Sequence, residues 1–160
     1  MEMMVIETPI GALNALVDEA GKLVELHFAE KQSAVGSRRS AVAEAPAGNW
    51  PVATQLFEYF SGKRQVFELD LAPRGTEFQL AVWNALLAIP YGDTISYAEL
   101  ARRIGKPSAV RAVGAANGAN PIPVIIPCHR VIGSNGTLTG YGGGIERKQW
   151  LLALEGRRLF

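Results

Sequence analysis

Residues 96–121 read SYAELARRIGKPSAVRAVGAANGANP, and this stretch decides the fold. Ser96 followed three residues later by Glu99 has the pattern of a capping box, which predicts a helix starting there and running to about Ile104. Gly105-Lys106-Pro107 is a turn, and Ser108 is placed to cap a second helix to about Ala119. Two helices joined by a short glycine-containing turn have helix-turn-helix spacing, although many helical hairpins with that spacing bind no DNA. The second helix carries Ala109, Ala112, Gly114, Ala115, Ala116, Gly118 and Ala119, small side chains on nearly every face. Arg111 is its one long cation. Close packing on another helix would use one such face; the rest suggests close approach to a nucleic-acid groove, with Arg111 as the probe.

Upstream, residues 76–89, TEFQLAVWNALLAI, predict another helix. Thr76 and Gln79 form a capping box, and Phe78, Val82, Leu86 and Ile89 recur at helical spacing beside Trp83. The N-terminal part reads as strands instead. Residues 3–11 and 12–30 are apolar runs with partial alternation, broken at Pro9-Ile10-Gly11 and Glu19-Ala20-Gly21 into an antiparallel hairpin or meander. His27 falls in the last strand and is read as structural or surface. Residues 31–49 read as a surface loop. A helix is predicted from Asn49, a cap, to about Ser61, with Pro51 in its first turn and Leu56, Phe57 and Phe60 on its apolar face. VFELDL, residues 66–71, alternates and predicts one more strand. The sequence APRG at 72–75 marks a boundary, so two domains are expected, 1–72 and 73–160.

Downstream, residues 120–133 read NPIPVIIPCHRVIG and hold Cys128, the only cysteine among 160 residues, with His129, one of two histidines. The prolines exclude a helix and predict that Val124-Ile125-Ile126 is a short buried strand delivering Cys128 to a fixed point. A free cysteine is often inert core. Here a histidine and an arginine follow at once, which favours an ionised thiol with a pKa well below the free value of about 8.5. A base needs an orienting acid, and Glu146 and Glu155 are the downstream candidates, Glu155 near the end of the predicted helix 146–156. The loop GTLTGYGGGIE, residues 136–146, brings glycine backbone and Tyr141 together. It lacks the arrangement of a phosphate-binding loop.

Composition sets limits. The chain is 48% hydrophobic and 19% charged, an ordinary globular balance. One cysteine makes no internal disulfide, thiolate zinc site or CxxC pair. The N-terminus has Glu2 and no basic stretch, so no signal peptide is expected, and the apolar runs are short for a membrane span. A reduced, cytoplasmic setting follows as the expectation. The net charge of +1 hides a contrast: residues 1–72 have 6 Lys/Arg against 10 Asp/Glu, and residues 73–160 have 10 against 5. Only the second half has the sign to meet a polyanion, a weak pointer on its own.

The IPCHRVIG box, the helix pair before it, the Asn120-Pro121 step and GYGGGIERKQWLLALE after it together resemble the O6-alkylguanine-DNA alkyltransferases, or methylated-DNA–protein-cysteine methyltransferases. The resemblance covers about residues 76–156. It implies an α/β (α+β) fold, with a small N-terminal antiparallel sheet and helix (RNase H-like) and a C-terminal winged helix-turn-helix-like domain. It implies a single-use transfer of the alkyl group from O6-alkylguanine in flipped-out duplex DNA to Cys128, and leaves O4-alkylthymine open. By that resemblance His129 is a water-mediated base oriented by Glu155. Tyr97 lends a proton toward the leaving guanine and helps turn the target phosphate. Arg111 fills the gap left by the base, and Asn120 holds the turn into the active-site segment. Ser96, Ala112, Gly114, Ala115 and Gly118 join Arg111 and Tyr97 on the DNA face. Tyr141, Gly142 and Gly143, with Pro123 and Val131, line the guanine pocket, and Arg130 is structural. No cofactor, metal, membrane or obligate protein partner is implied, and a monomer is expected.

Some positions depart from the family pattern. Gly142 stands where some members carry serine or alanine, and Ala115 where a glycine is common. The N-terminal half has no cysteine for the structural zinc of some members, and Cys128 separates the chain from the non-enzymatic alkyltransferase-like proteins. Two other readings remain at this point: a Cys-His hydrolase, and a DNA-damage sensor or helix-turn-helix regulator in which Cys128 is core.

Overall fold

A computed structural model describes residues 1–29, 51–138, 141 and 143–156. The chain divides into two compact units, Met1–Pro73 and Arg74–Phe160. It is of the mixed α/β class.

In the first unit, β1 (Glu2–Thr8), β2 (Gly11–Val17) and β3 (Leu23–Phe28) form an antiparallel sheet in that order. The expected breaks are its turns. Thr8 pairs with Gly11 at the first, where Thr8 Oγ1 donates to Gly11 O at 2.6 Å. At the second, Asp18 accepts from the amides of Ala20 and Lys22. Alternation puts Ile6, Leu13, Ala15 and Leu26 inside, where Leu56 and Tyr59 of α1 (Pro51–Phe60) are also fully buried. Asn49 and the loop 31–49 lie outside the described residues. His27 is a surface residue, 3.7 Å from Glu25.

The strand expected at 66–71 does not form. Phe67, Leu69 and Leu71 are each more shielded than Val66, Glu68 and Asp70, so the alternation is real. The backbone at Glu68, however, is taken by the side chain of Gln55: Glu68 N donates to Gln55 Oε1 at 2.8 Å, and Gln55 Nε2 donates to Glu68 O at 3.1 Å. Only the last residues reach the sheet, as a parallel bridge between Leu71 and Leu23.

The second unit runs α2 (Glu77–Leu87), β4 (Ile95–Ser96), α3 (Tyr97–Arg103), α4 (Val110–Gly118), a 3₁₀ turn (Cys128–Arg130), β5 (Val131–Ile132) and α5 (Ile145–Leu154). Strands β4 and β5 pair in parallel, so the start of the helix pair is tied to the residues following Cys128. Thr76 and Gln79 form the expected capping box on α2, whose Val82, Trp83 and Leu86 are buried.

Two helix starts differ from expectation. Ser96 does cap α3, accepting from Glu99 N at 3.0 Å, but Glu99 does not reach back. Its carboxylate is taken by Arg102 and Arg103 one turn on. Ser108 caps nothing: α4 starts one residue later than that cap requires, with Ala109 at the N-cap and no side-chain bond. Helix α4 is also two-faced where smallness on every face was expected. Val113, Ala116 and Asn117 are buried, while Arg111, Ala112, Ala115 and Gly118 are exposed. The buried face is fixed by Trp83, whose indole N–H donates to Ala116 O at 2.8 Å.

Candidate active site

The segment from α4 to Cys128 is a pinned loop, not the strand expected at 124–126. Asn120 grips it at both ends, with Nδ2 donating to Ile126 O at 2.7 Å and Oδ1 accepting from Ile122 N at 2.9 Å. Ile126 N donates to Ile122 O at 2.9 Å, closing a turn. Val124 inside it has φ +74°, an uncommon conformation for a β-branched residue, and its side chain is buried. Burial of Ile122, Val124, Ile125 and Ile126 accompanies that backbone strain. Pro127, at φ −81° and ψ 66°, then forms an inverse γ-turn in which Cys128 N donates to Ile126 O at 2.8 Å. Prolines block a helix, but the extended geometry they favour is overridden by this turn chemistry.

Cys128, His129 and Arg130 make one turn of 3₁₀ helix and are all buried. His129 Nε2 lies 2.9 Å from Glu155 Oε2. Arg130 donates to both carboxylate oxygens, through Nε at 2.8 Å and Nη2 at 2.9 Å, and through Nη1 to Ile89 O at 2.7 Å. Tyr91 lies under the guanidinium, 5.7 Å from its ring centre. Glu155 is therefore the orienting acid; Glu146, the other candidate, is exposed. Burial alone would push the Glu155 carboxyl up, but the hydrogen bonds from His129 and Arg130 outweigh it and hold it at about 2. Burial pushes His129 down against the pull of Glu155, so the ring is neutral. Facing a carboxylate, Nε2 carries the proton, and Nδ1 keeps a lone pair. His129 Nδ1 has no protein hydrogen-bond partner.

The thiol is not held ionised as expected. Cys128 is 5% exposed, and burial pushes its pKa up to about 11. A hydrogen bond from the Asn120 side chain and the positive charge of Lys148 work in the other direction without overcoming burial. About one thiol in ten thousand is then ionised at pH 7, so the reactive form has to be made by a base at the moment of reaction.

The remaining expected residues are placed as follows. Tyr97 opens α3, and its ring faces Gly114, where an added Cβ would lie 3.8 Å from it. Ser96 is engaged as the α3 cap. Arg111, Ala112, Ala115 and Gly118 share the exposed face of α4. Asn120 and Cys128 are brought together, as are His129 and Glu155. Val131 is buried in β5, Pro123 is half-buried, and Gly143 O accepts from Arg147. Burial pushes the Tyr141 hydroxyl well above 10, and a thiolate at Cys128 would push it further. Gly142 lies outside the described residues.

Two residues of the site were not anticipated. Lys148 is fully buried, with Nζ donating to Val131 O at 2.7 Å, and burial brings its pKa down to about 8. Asn117, 4% exposed, directs Nδ2 to Cys128 O at 3.4 Å. Both had a periodic signal. Lys148, Leu151, Leu152 and Glu155 lie at i, i+3, i+4 and i+7, and Val113, Ala116 and Asn117 at i, i+3 and i+4. A polar residue on the apolar stripe of a helix marks a buried polar contact.

Residues 77–157 match a family model described as 6-O-methylguanine DNA methyltransferase, DNA binding domain. Curated relatives extend the match over nearly the whole chain. A methylated-DNA–protein-cysteine methyltransferase of Methanosarcina barkeri is 50% identical over 163 residues, covering 97% of each chain. One of Mycobacterium tuberculosis is 51% identical over 153 residues, covering 96% of this chain and 91% of its own. A crystal structure of Mycobacterium tuberculosis OGT in complex with DNA superposes with a TM-score of 0.84 at 46% identity, covering 97% of this chain and 92% of that one. The chain belongs to the methylated-DNA–protein-cysteine methyltransferase family.

Proposed function

We propose that this chain repairs O6-alkylguanine in duplex DNA by moving the alkyl group irreversibly to Cys128. The observation that carries the reading is the arrangement around that thiol. A buried sulfur is followed by a neutral histidine whose Nε2 is locked to a carboxylate and whose Nδ1 is an open acceptor. That is a nucleophile, a base and an orienter in order. Family membership supports the same chemistry.

The target base has to leave the stack to reach a thiol. The exposed face of α4 suits a minor groove because Ala112, Ala115 and Gly118 allow close approach, and Arg111 takes the space of the extruded base. Ser96 and Gly114 border this face. Tyr141, Gly142 and Gly143, with Pro123 and Val131, enclose the guanine. Water carries the Cys128 proton to His129 Nδ1 as Sγ attacks the alkyl carbon. The bond from that carbon to O6 breaks, and its electron pair stays with the purine. Tyr97 supplies the proton that makes the purine a neutral guanine, and the proton on His129 returns to Tyr97 through solvent. The balance is thiol plus alkylguanine giving thioether plus guanine. Nothing in that sequence regenerates the thiol.

Arg130 binds no substrate in this scheme; it fixes Glu155, which fixes His129. Met1–Pro73 contributes none of the placed site residues, which supports a scaffolding role. The chain acts as a monomer in the cytoplasm. Among its described residues no helix is long and apolar enough to cross a membrane.

Intact-mass measurement after incubation with a duplex containing O6-methylguanine tests the proposal. One CH2 should be gained per repaired guanine, on Cys128, with none gained by Cys128→Ser. Release of product with turnover would instead identify a hydrolase, and binding without a mass change a damage sensor.

A further inference from the structure

Asn117 sits on the buried face of α4, and the alkyl-transfer scheme above gives it no part. Its Oδ1 is buried without a protein hydrogen-bond partner, as is His129 Nδ1. Both atoms are acceptors. His129 presents its N–H to Glu155, which leaves the Nδ1 lone pair. Asn117 presents its NH2 toward Cys128 O at 3.4 Å, and the reverse orientation would set two acceptors against each other. A buried acceptor left unsatisfied carries its full desolvation penalty. Both residues adjoin Cys128: His129 follows it on the 3₁₀ turn, and Asn117 reaches its backbone carbonyl.

We propose that Asn117 is a positioning residue for proton transfer: its Oδ1 and His129 Nδ1 together hold the one water that takes the Cys128 proton. The inference rests on reading Cys128 as the alkyl acceptor. A buried water is stable with two to four polar partners. This one donates one hydrogen to Nδ1 and the other to Oδ1, and its oxygen accepts from Sγ–H. On reaction the thiol proton moves to the water as the water's own proton moves to Nδ1, so no hydronium accumulates and the imidazolium formed is stabilised by Glu155. Without Asn117 the water keeps one fixed acceptor and can rotate about it. The helix that presents Arg111 outward then also sets, on its inner face, the geometry of thiol deprotonation.

Two measurements decide this. A crystal structure of the unmodified protein at about 1.5 Å should show a single water within about 2.7–3.2 Å of both Asn117 Oδ1 and His129 Nδ1. No water there, or separate waters on the two atoms, overturns the proposal. The second is the rate of alkyl transfer from free O6-benzylguanine, which needs no DNA, followed from pH 6 to 10 for the wild type and Asn117→Leu. The variant should be about tenfold slower at pH 7, a fraction of the usual general-base contribution of about 10²–10⁴. That deficit should shrink as pH rises and hydroxide ionises the thiol directly. A deficit equal at every pH, or none, refutes the role. Failure of the wild type to form a benzyl adduct would refute the alkyl-acceptor reading instead, and the crystallographic result still decides the water.

Discussion

Replacing Glu155 by glutamine tests the buried charge cluster most sharply. The change is nearly isosteric, but it removes the one negative charge that His129 Nε2 and Arg130 Nε and Nη2 all address. A buried guanidinium is left without its counter-charge, and breaking such a pair typically costs about 3–5 kcal/mol. The pH dependence gives a second estimate. The carboxyl sits at about 2 in the fold against 4.5 ordinarily, which corresponds to about 3 kcal/mol. Because the folded value is depressed, that stability is fully present above about pH 5 and is lost as pH falls toward 2. Urea denaturation from pH 7 down to pH 3 should therefore show wild type and Glu155→Gln about 3 kcal/mol apart at pH 7 and converging below pH 5. A gap under about 1 kcal/mol at pH 7, or one constant with pH, would refute the argument that Glu155 is ionised and paired.

Further outcomes follow from the same geometry. Cys128 should react with iodoacetamide far more slowly than a free cysteine at pH 7 and accelerate up to about pH 11, because burial raises its pKa; a plateau below pH 8 would restore the ionised-thiol picture. Lys148→Met should slow alkyl transfer at pH 7, where an ammonium near Cys128 favours the thiolate, and the two proteins should converge above pH 8 as the lysine loses its proton; equal rates at pH 7 would remove Lys148 from the chemistry. Arg111→Ala should slow repair in duplex DNA at least tenfold while leaving reaction with free O6-benzylguanine within about twofold, since removing an inserted side chain costs a few kcal/mol only where a base must be unstacked; equal loss on both substrates contradicts base extrusion. Gly75→Ala should cost about 1–3 kcal/mol in thermal or urea unfolding, because the new methyl would lie 2.5 Å from Trp83 Cη2; an unchanged midpoint would show that Trp83 is not wedged.

Much of this was legible in the sequence where local rules act alone. Thr76 and Gln79 announce the start of α2, and the strand breaks at Pro9–Gly11 and Glu19–Gly21 become the turns of the sheet. The residues alone leave the partner of His129 open between Glu146 and Glu155; the family resemblance points to Glu155, and the fold places Glu155 inside and Glu146 outside. The errors occurred where a distant group competed for the backbone or the charge. Gln55 occupies the strand expected at 66–71, Arg102 and Arg103 draw Glu99 away from a capping box, and Asn120 folds 122–126 into a turn. The thiol pKa was misjudged because adjacent cations are visible in a sequence and desolvation is not: Arg130 spends its charge on Glu155, and burial governs the sulfur.

The double grip of Asn120, with Ile126 O receiving both its amide and the Cys128 N–H, has a consequence for a protein used once. An enzyme that cycles has to let its product go, so the segment bearing its nucleophile retains some freedom to open. A chain that ends its working life with the first event has no later step to hasten. Its acceptor segment can be as stiff as folding permits, and all of its design can serve the first encounter.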